Sequence, residues 1–181
     1  MFPILTTGRV TGISSYTPDD ASCAAWYGES ETLPGALTEH DDSAYSGANL
    51  TTVSTDDTNY VAATVVFYNY AGHRVYFVVD AAPGDVLGLD VTLKPFVDAG
   101  GAWAYLYIYN YDTSLFELLD SYEWSGPGDD GVKTLMGSIT SGAADYVNNN
   151  GGTYEVSLKL VGDNANDSYL AYCQLDVTAY T

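Results

Sequence analysis

Residues 102–111 alternate strictly between two kinds of side chain. Small, aliphatic and amide residues occupy the even positions, and the odd positions carry five aromatic residues, Trp103, Tyr105, Tyr107, Tyr109 and Tyr111. Because successive side chains of a strand point to opposite faces, the pattern predicts a β-strand with a core-facing aliphatic side and an aromatic side. The partner of the aromatic side is therefore the main functional question.

Similar strand patterns recur from Leu50 to the end of the chain. Alternating apolar and polar segments are separated by turns rich in Gly, Asp, Asn and Pro, and they cover residues 60–70, 73–80, 87–94, 115–122, 132–139, 154–160 and 169–177. Strands at intervals of about 8–12 residues are typical of antiparallel sandwiches and barrels. We predict an all-β fold, an antiparallel β-sandwich (jelly roll) with an N-terminal extended arm, and a single helical turn within 141–147.

The chain of 181 residues is long enough for one domain. Residues 1–44 differ from the rest, since they contain one short extended segment followed by polar stretches with Pro and Asp. We therefore predict an arm over 1–44 and a sandwich over 45–181. The arm either packs on its own domain or docks on a neighbouring copy. Met1 and Phe2 open the chain without a signal-peptide pattern, which leads us to expect no cleaved leader.

The charge balance excludes several classes of partner. The chain has 24 acidic and 5 basic residues, for a formal charge of −19. Nucleic acids and anionic membrane surfaces need cationic contact surfaces, so neither is predicted as a partner. No apolar run approaches the roughly 20 residues of a membrane span. Charged residues make up only 16% of the chain, and a surface of Tyr, Thr, Ser, Asn and Gly is typical of virion, extracellular and cell-surface β-proteins.

No catalytic motif accompanies these patterns. His40 and His73 are the only histidines, and no nucleophile elbow, zinc-binding helix motif or glycine-rich phosphate loop is present. Adjacent aspartates are typical of solvated turns in so acidic a chain, although a glycosidase needs only two carboxylates. We predict a protein that is not an enzyme.

Residues 105–121, YLYIYNYDTSLFELLDS, resemble the central hairpin of a widespread sandwich module. Tyr146-Val147 before Gly151-Gly152, the final strand at 169–177, and the segment from Leu50 to Tyr60 fit the same pattern. The chain is similar, over about 45–181, to galactose-binding-like jelly rolls of secreted bacterial and archaeal proteins and of phage structural proteins. Phe116 replaces the usual Trp, and Cys173 or Gln174 stands where an Asp is usual. The resemblance implies the fold and assigns no binding residue.

Calcium is the cofactor that the sequence supports best. Hard cations bind several carboxylate and carbonyl oxygens, and the candidate ligands are Asp56, Asp57, Asp129, Asp130, Asp163 and Asp167. The other interpretation of each cluster is turn chemistry.

Cysteines and sequons add two further candidates. Cys23 and Cys173 are either two buried thiols or a disulfide between the N-terminal region and the last strand. Asn49 and Asn166 each begin an N-x-Ser/Thr sequon, which matters only in a glycosylating compartment.

Three interpretations of the aromatic side remain open: a second buried layer, a sugar-stacking face or a subunit interface. A row of five rings is too large to stay without a partner. We predict a structural subunit of a surface assembly that binds copies of itself or other particle subunits, either a virion decoration or fibre protein or an extracellular filament or surface-layer protein. The alternative is a carbohydrate-binding or adhesion module whose partner is a glycan.

Overall fold

The computed structural model describes residues 9–20, 22–39, 41–64, 70–97, 102–125, 131–163 and 167–181. These residues form one α-helix, α1 (Gly47–Ser54), and twelve strands: β1 (Thr11–Tyr16), β2 (Ala24–Ser30), β3 (Ser43–Ala44), β4 (Val61–Ala63), β5 (Tyr70–Val79), β6 (Val86–Val97), β7 (Trp103–Asn110), β8 (Leu115–Glu123), β9 (Leu135–Ile139), β10 (Asn148–Asn150), β11 (Thr153–Gly162) and β12 (Ser168–Tyr180). Short 3₁₀ helices span Pro83–Asp85 and Ala143–Tyr146, and the second lies within the predicted helical turn.

The strands form two antiparallel sheets. The five-stranded sheet has the order β1-β12-β6-β9, with β4 also paired to β12. The seven-stranded sheet has the order β3-β2-β5-β11-β7-β8, with β10 also paired to β11. The predicted all-β antiparallel sandwich is thus confirmed. No helix among the described residues is long and apolar enough to span a membrane.

The core lies between the two sheets and follows the alternation in the sequence. On β7 the side chains of Ala104, Leu106 and Ile108 are fully buried, and on β11 Leu158 and Leu160 lie opposite them. Every second residue of these strands is apolar and points inward, so the aromatic side of β7 faces outward from the seven-stranded sheet.

Parts of the predicted arm belong to the sheets. β1 pairs with β12 from Thr11–Tyr180 to Tyr16–Leu175, and β2 pairs with β5 from Ala24–Tyr76 to Ser30–Tyr70. These two strands therefore pack on their own sandwich, as in one of the two alternatives. Docking of the arm on another copy stays a prediction.

Helix α1 was not predicted. Thr and Val favour strands in isolation, but here Ser46 caps the helix by accepting a hydrogen bond from the backbone N–H of Asn49 at 3.2 Å. Hydroxyl groups along the helix donate to backbone carbonyls four residues earlier, as Ser54 does to Leu50 at 2.8 Å. Val53 is completely buried and attaches the helix to the core.

Candidate functional site

The outward side of β7 carries a continuous row of aromatic rings. We call Trp103, Tyr105, Tyr107, Tyr109 and Tyr111 the aromatic row. The rings of Trp103 and Tyr105 are nearly parallel, at an interplanar angle of 9° and a centroid distance of 5.9 Å. Tyr107 follows Tyr105 at 6.2 Å, and Tyr109 lies 5.0 Å from Tyr111.

A phenylalanine on the neighbouring strand joins the two halves of the row. Phe116 of β8 lies opposite Tyr109 in the β7–β8 register. Its ring centroid is 6.5 Å from that of Tyr107 and 5.0 Å from that of Tyr109. Edge-to-face contacts at such distances stabilise aromatic clusters. The rings of the row and Phe116 therefore form one connected surface.

The tyrosine hydroxyls of the row fall into two groups. Tyr105 donates to Asp163 at 3.3 Å and Tyr111 donates to Ser157 at 3.3 Å. Burial, together with the charge of Asp163, raises the pKa of Tyr105 to about 12. Tyr107 and Tyr109 have no hydrogen-bond partner among the described residues.

These two hydroxyls reach solvent. In the described part of the chain, Ser168 Oγ is the one buried side-chain polar atom without a partner. The hydroxyls of Tyr107 and Tyr109 are therefore accessible, although the ring of Tyr107 is buried and that of Tyr109 is half-buried. The outward surface of β7 thus combines packed rings with two available donor–acceptor groups.

A buried lysine lies beside the row. Lys159 of β11 is opposite Tyr107 and is completely buried. Its ammonium donates to the backbone carbonyls of Ala36 and Leu37 at 3.4 Å each and to that of Glu39. It also lies 4.6 Å from the ring centroid of Phe116. Burial lowers the pKa of Lys159 to about 8, although the carboxylates of Asp41 and Glu39 favour its charged form.

An arginine on the next strand makes a second buried cation. Arg74 of β5 pairs with Lys159 in the β11–β5 register. Its Nε lies 2.9 Å and 3.0 Å from the two carboxylate oxygens of Asp41, and its Nη2 lies 2.7 Å from Oδ2. The guanidinium stacks 4.1 Å above the ring of Trp26 on β2. Lys159 and Arg74 therefore both have their hydrogen-bond and ion-pair partners within the protein.

The carbonyls that hold Lys159 belong to a covering loop, residues 31–39 and 41–42. The carboxylate of Glu39 organises this loop, since it accepts hydrogen bonds from the backbone N–H of Gly35 at 2.7 Å and of Ala36 at 3.3 Å. It also accepts from the hydroxyl of Thr32 at 2.7 Å and from that of Ser30. Partial burial alone would raise the pKa of Glu39, but these hydrogen bonds outweigh it and lower the pKa to about 2.

A buried carboxylate completes the polar part of the face. Glu155 of β11 accepts from the side-chain amides of Asn148 at 2.9 Å and Asn150 at 3.1 Å. Burial and the hydrogen bond to Glu155 raise the pKa of Tyr76. Because amide and hydroxyl donors saturate this carboxylate, it serves as a structural acceptor.

The buried histidine is also structural. His73 Nδ1 lies 2.6 Å from the hydroxyl of Tyr45, and Nε2 lies 2.9 Å from the backbone carbonyl of Ser168. Its side chain is completely shielded from solvent. A general base must reach a substrate proton, and a ring enclosed in this way has no access to one.

The candidate calcium ligands that the structure describes do not converge on one site. The described part of the chain contains no group of three or more His, Cys, Asp or Glu side chains that could hold a metal ion. Asp56 pairs with Lys94 at 2.6 Å, and Asp57 accepts from Asn59 within its own turn at 2.7 Å. Asp163 accepts from the backbone N–H of Trp103 at 2.6 Å.

Two of the remaining candidates lie outside the described residues. These are Asp129 and Asp130. The third, Asp167, is described, and its Oδ2 accepts a hydrogen bond from the hydroxyl of Tyr169 at 3.4 Å. Asp57 and Asp167 thus make contacts within two residues of themselves, whereas Asp56 and Asp163 contact distant strands. Calcium binding stays a prediction.

The two cysteines are free thiols. Cys173 is buried in the core on β12, and Cys23 is half-buried, with its sulfur accepting from the backbone N–H of Val78 at 3.5 Å. Burial raises the pKa of both thiols. The structure therefore has the two-thiol arrangement and not the disulfide. Of the sequon residues, Asn49 lies in the first turn of α1 and Asn166 lies outside the described residues.

Several residues of this face were not singled out from the sequence: Trp26, Asp41, Arg74, Glu155 and Lys159. A signal was present, because Glu155, Ser157 and Lys159 alternate with buried aliphatic residues along β11. The strand order was missing, and only that order places Lys159 beside Tyr107.

A family model described as "Uncharacterized protein, C-terminal domain" matches residues 20–179. No protein among the curated sequences matches the chain. The structure is similar to a xylan-binding module, CBM15, at 14% identity and a TM-score of 0.49, with 95% of this chain and 97% of that one covered.

Two other solved structures illustrate the range of similar folds. One is TmCBM61 in complex with β-1,4-galactotriose, at 9% identity and a TM-score of 0.40, covering 91% of this chain and 86% of that one. The other is the infectious bursal disease virus Gx strain, at 12% identity and a TM-score of 0.41, covering 94% of this chain and 32% of that one.

Proposed function

The chain belongs to the AF_1625_C family, the family of that C-terminal domain, and we propose that it is a non-enzymatic module that binds a glycan along the aromatic row. The observation that carries the proposal is the combination of packed rings with the accessible hydroxyls of Tyr107 and Tyr109. The apolar face of a sugar packs on aromatic rings, and its hydroxyl groups need hydrogen-bond partners at the edge of those rings.

The support beneath the rings favours binding without large rearrangement. Lys159, Arg74 and Glu155 all have partners inside the protein, and Phe116 packs against both halves of the row. A preformed surface loses little conformational entropy when a ligand binds. Sugars can therefore pack on the half-buried rings of Trp103, Tyr105 and Tyr109 at a small ordering cost, whereas the buried ring of Tyr107 offers its hydroxyl alone.

The charge of the face favours a neutral glycan. Asp163 lies at the Trp103 end of the row, where its carboxylate accepts hydrogen bonds from the backbone N–H of Trp103 and from the hydroxyl of Tyr105. The two nearby cations, Lys159 and Arg74, are already paired. Together with the formal charge of −19, this arrangement repels polyanionic polysaccharides.

Binding to soluble neutral polysaccharides, by glycan array and by affinity electrophoresis, tests the proposal. The double variant Tyr107→Ala with Tyr109→Ala should weaken binding at least tenfold, about 1.4 kcal/mol. Tyr107→Phe with Tyr109→Phe keeps the rings and should show an intermediate loss. Tyr60→Ala is the matched control, because Tyr60 is an exposed aromatic residue that precedes β4 and packs on Phe96 and Tyr169, away from the aromatic row. The proposal would be wrong if the wild type bound no glycan, or if the double alanine variant bound as tightly as the wild type and the control.

A second candidate is a structural subunit of a virion or extracellular assembly that uses the same region as a subunit contact. The observation favouring it is the exposure of Leu118 on β8, at 53%. Leu118 lies opposite Tyr107 and enlarges the apolar surface of the row. Apolar and aromatic residues are enriched at the centres of protein interfaces.

Leu118→Lys separates the two candidates. A subunit contact through this surface would be lost, whereas binding of a glycan along the aromatic row should persist. Sedimentation velocity measures the first property, and affinity electrophoresis measures the second. Either function would place the protein on a particle or cell surface.

A further inference from the structure

The outer edge of β1 presents a run of unpaired backbone groups. β1 is the terminal strand of the five-stranded sheet, and among the described residues it pairs with β12 alone. The backbone N–H of Thr181 donates to the carbonyl of Val10 at 2.9 Å, so these two residues continue the β1–β12 register as a hydrogen-bonded pair. Such pairs recur at every second residue of an antiparallel ladder, which directs the backbone groups of Thr11, Ile13 and Ser15 away from β12 and towards the edge.

The side chains of these three residues also face solvent. Thr11, Ile13 and Ser15 are all exposed, and Ile13 is 72% exposed. A groove of about 350 Å³ lies beside Ser14 and Ser15, so this part of the edge is open. An edge strand with unpaired backbone groups and an exposed apolar side chain is a template for an added strand.

β1 lacks the charges that protect other edges. Natural sheets place charged side chains on edge strands, where they prevent pairing with another chain. β8, a terminal strand of the other sheet, carries Glu117, Asp120 and Glu123, whereas the six residues of β1, TGISSY, carry no charge. In a chain with a formal charge of −19, an uncharged edge is where two copies repel each other least.

The edge of β1 is complementary to itself. When two β1 strands pair antiparallel about a two-fold axis at Ile13, Thr11 of each copy lies opposite Ser15 of the other, and the two Ile13 residues face each other. All of these residues direct their backbone groups to the edge, so each pair can exchange both of its hydrogen bonds. The exposed Ile13 side chain then packs against its counterpart across the axis.

The charges at the two ends of β1 are complementary as well. The same register places Arg9 of one copy opposite Thr17 of the other. The hydroxyl of Thr17 donates to Asp19 at 2.9 Å and its backbone N–H donates to Asp20 at 2.5 Å, so two carboxylates surround this position. The Arg9 side chain is 60% exposed although it pairs with Asp85, and a guanidinium has further N–H groups for a second carboxylate. Two-fold symmetry forms this contact twice.

We propose that two copies of this chain pair through the edges of β1 into a two-fold symmetric dimer, so that their five-stranded sheets join into one sheet of ten strands. Both Ile13 side chains lie on the same face of the joined sheet, and both seven-stranded sheets therefore pack on its other face. The two aromatic rows then face the same side of the dimer. Two-site binding of one glycan is a consequence that rests on the proposed function, whereas the dimer itself does not.

Sedimentation velocity and native mass spectrometry of the chain, over a dilution series without glycan, test the contact. Wild type should reach twice the chain mass of 19.4 kDa. Ile13→Lys places two like charges at the axis and should be monomeric. Met136→Lys is the matched control, because Met136 is a 63% exposed apolar residue on β9 of the same sheet, and this variant should dimerise like wild type. Urea denaturation should show that both variants are as stable as the monomer of wild type.

An exchange of charges tests the register. Arg9→Glu and Asp19→Arg each place like charges together at both ends of the paired strands, so each should raise the dissociation constant of the dimer several-fold. A mixture of the two variants restores opposite charges at both ends. The heterodimer should therefore form in preference to either homodimer, and a mixture without this preference would contradict the register.

Three results would overturn the dimer. They are a monomeric wild type, an Ile13→Lys variant that dimerises like wild type, and a wild-type dimer that Leu118→Lys dissociates and Ile13→Lys does not. The last result would place the contact beside the aromatic row. A chain that dimerises through Ile13 but binds no glycan would support this contact and contradict the proposed function alone.

Discussion

Arg74 and Asp41 form an ion pair that is almost entirely shielded from solvent, with 8% and 12% of the two side chains exposed. The pair joins β5 to the covering loop, and the ring of Trp26 stacks on the opposite side of the guanidinium. Removing one partner of a buried pair leaves an uncompensated charge, which is more costly than replacing both partners.

We therefore expect Asp41→Ala to lower the free energy of unfolding by about 3 kcal/mol. Urea denaturation monitored by tryptophan fluorescence measures this change. Asp112→Ala is the matched control, because Asp112 is exposed beyond the end of β7, and it should change stability by less than about 0.5 kcal/mol. Equal effects of the two variants would contradict the buried pair.

Lys159 should make stability depend on pH above neutrality. Burial lowers its pKa from 10.5 to about 8, so between these values the unfolded chain binds more protons than the folded protein. The free energy of unfolding contributed by this group then rises with pH across that interval. Urea denaturation measures the free energy of unfolding of wild type and of Lys159→Met. The value for wild type minus the value for the variant should increase as the pH rises from about 8 towards 10.5. A constant difference would contradict the lowered pKa.

Glu39 should make the covering loop sensitive to acid. Its hydrogen bonds lower the pKa from 4.5 to about 2, so the folded protein binds fewer protons than the unfolded chain in that interval. The stabilisation is complete above pH 4.5 and is lost as the pH falls towards 2. Glu39→Gln should reduce the acid dependence of stability over this range, whereas the exposed neighbour Glu31→Gln should leave it unchanged. Equal acid dependence of stability in Glu39→Gln and Glu31→Gln would contradict the role of the Glu39 carboxylate in organising the loop.

The two sides of the β7–β8 hairpin should respond differently to truncation. Leu106 is completely buried, so Leu106→Ala should cost about 2–5 kcal/mol. Leu118→Ala removes the same atoms from an exposed position and should change stability by less than about 0.5 kcal/mol. Thermal and urea unfolding of both variants measure the contrast. A large loss of stability in Leu118→Ala would mean that the side chain of Leu118 is buried in solution.

The sequence predicts which side of strands such as β7, β11 and β12 faces the core. Period-two alternation requires no knowledge of the partner strand, and for this reason the two-faced character of residues 102–111 and the all-β class could be predicted. Helix α1 was missed because its stability depends on the burial of Val53 and on the Ser46 cap rather than on intrinsic preference.

The tertiary structure alone decided which strands are neighbours, and with them the composition of the candidate site. Lys159 is 52 residues from Tyr107 in the chain and is placed beside it only by the β11–β7 register. Asp41 reaches Arg74 only because β2 and β5 are paired and the covering loop folds back over them. Alternation specifies the face of a residue, whereas the strand order is a long-range property of packing. The aromatic side of β7 could therefore be predicted from the sequence. The sequence could not predict the buried cations beside it, the saturated carboxylate of Glu155 or the two accessible tyrosine hydroxyls.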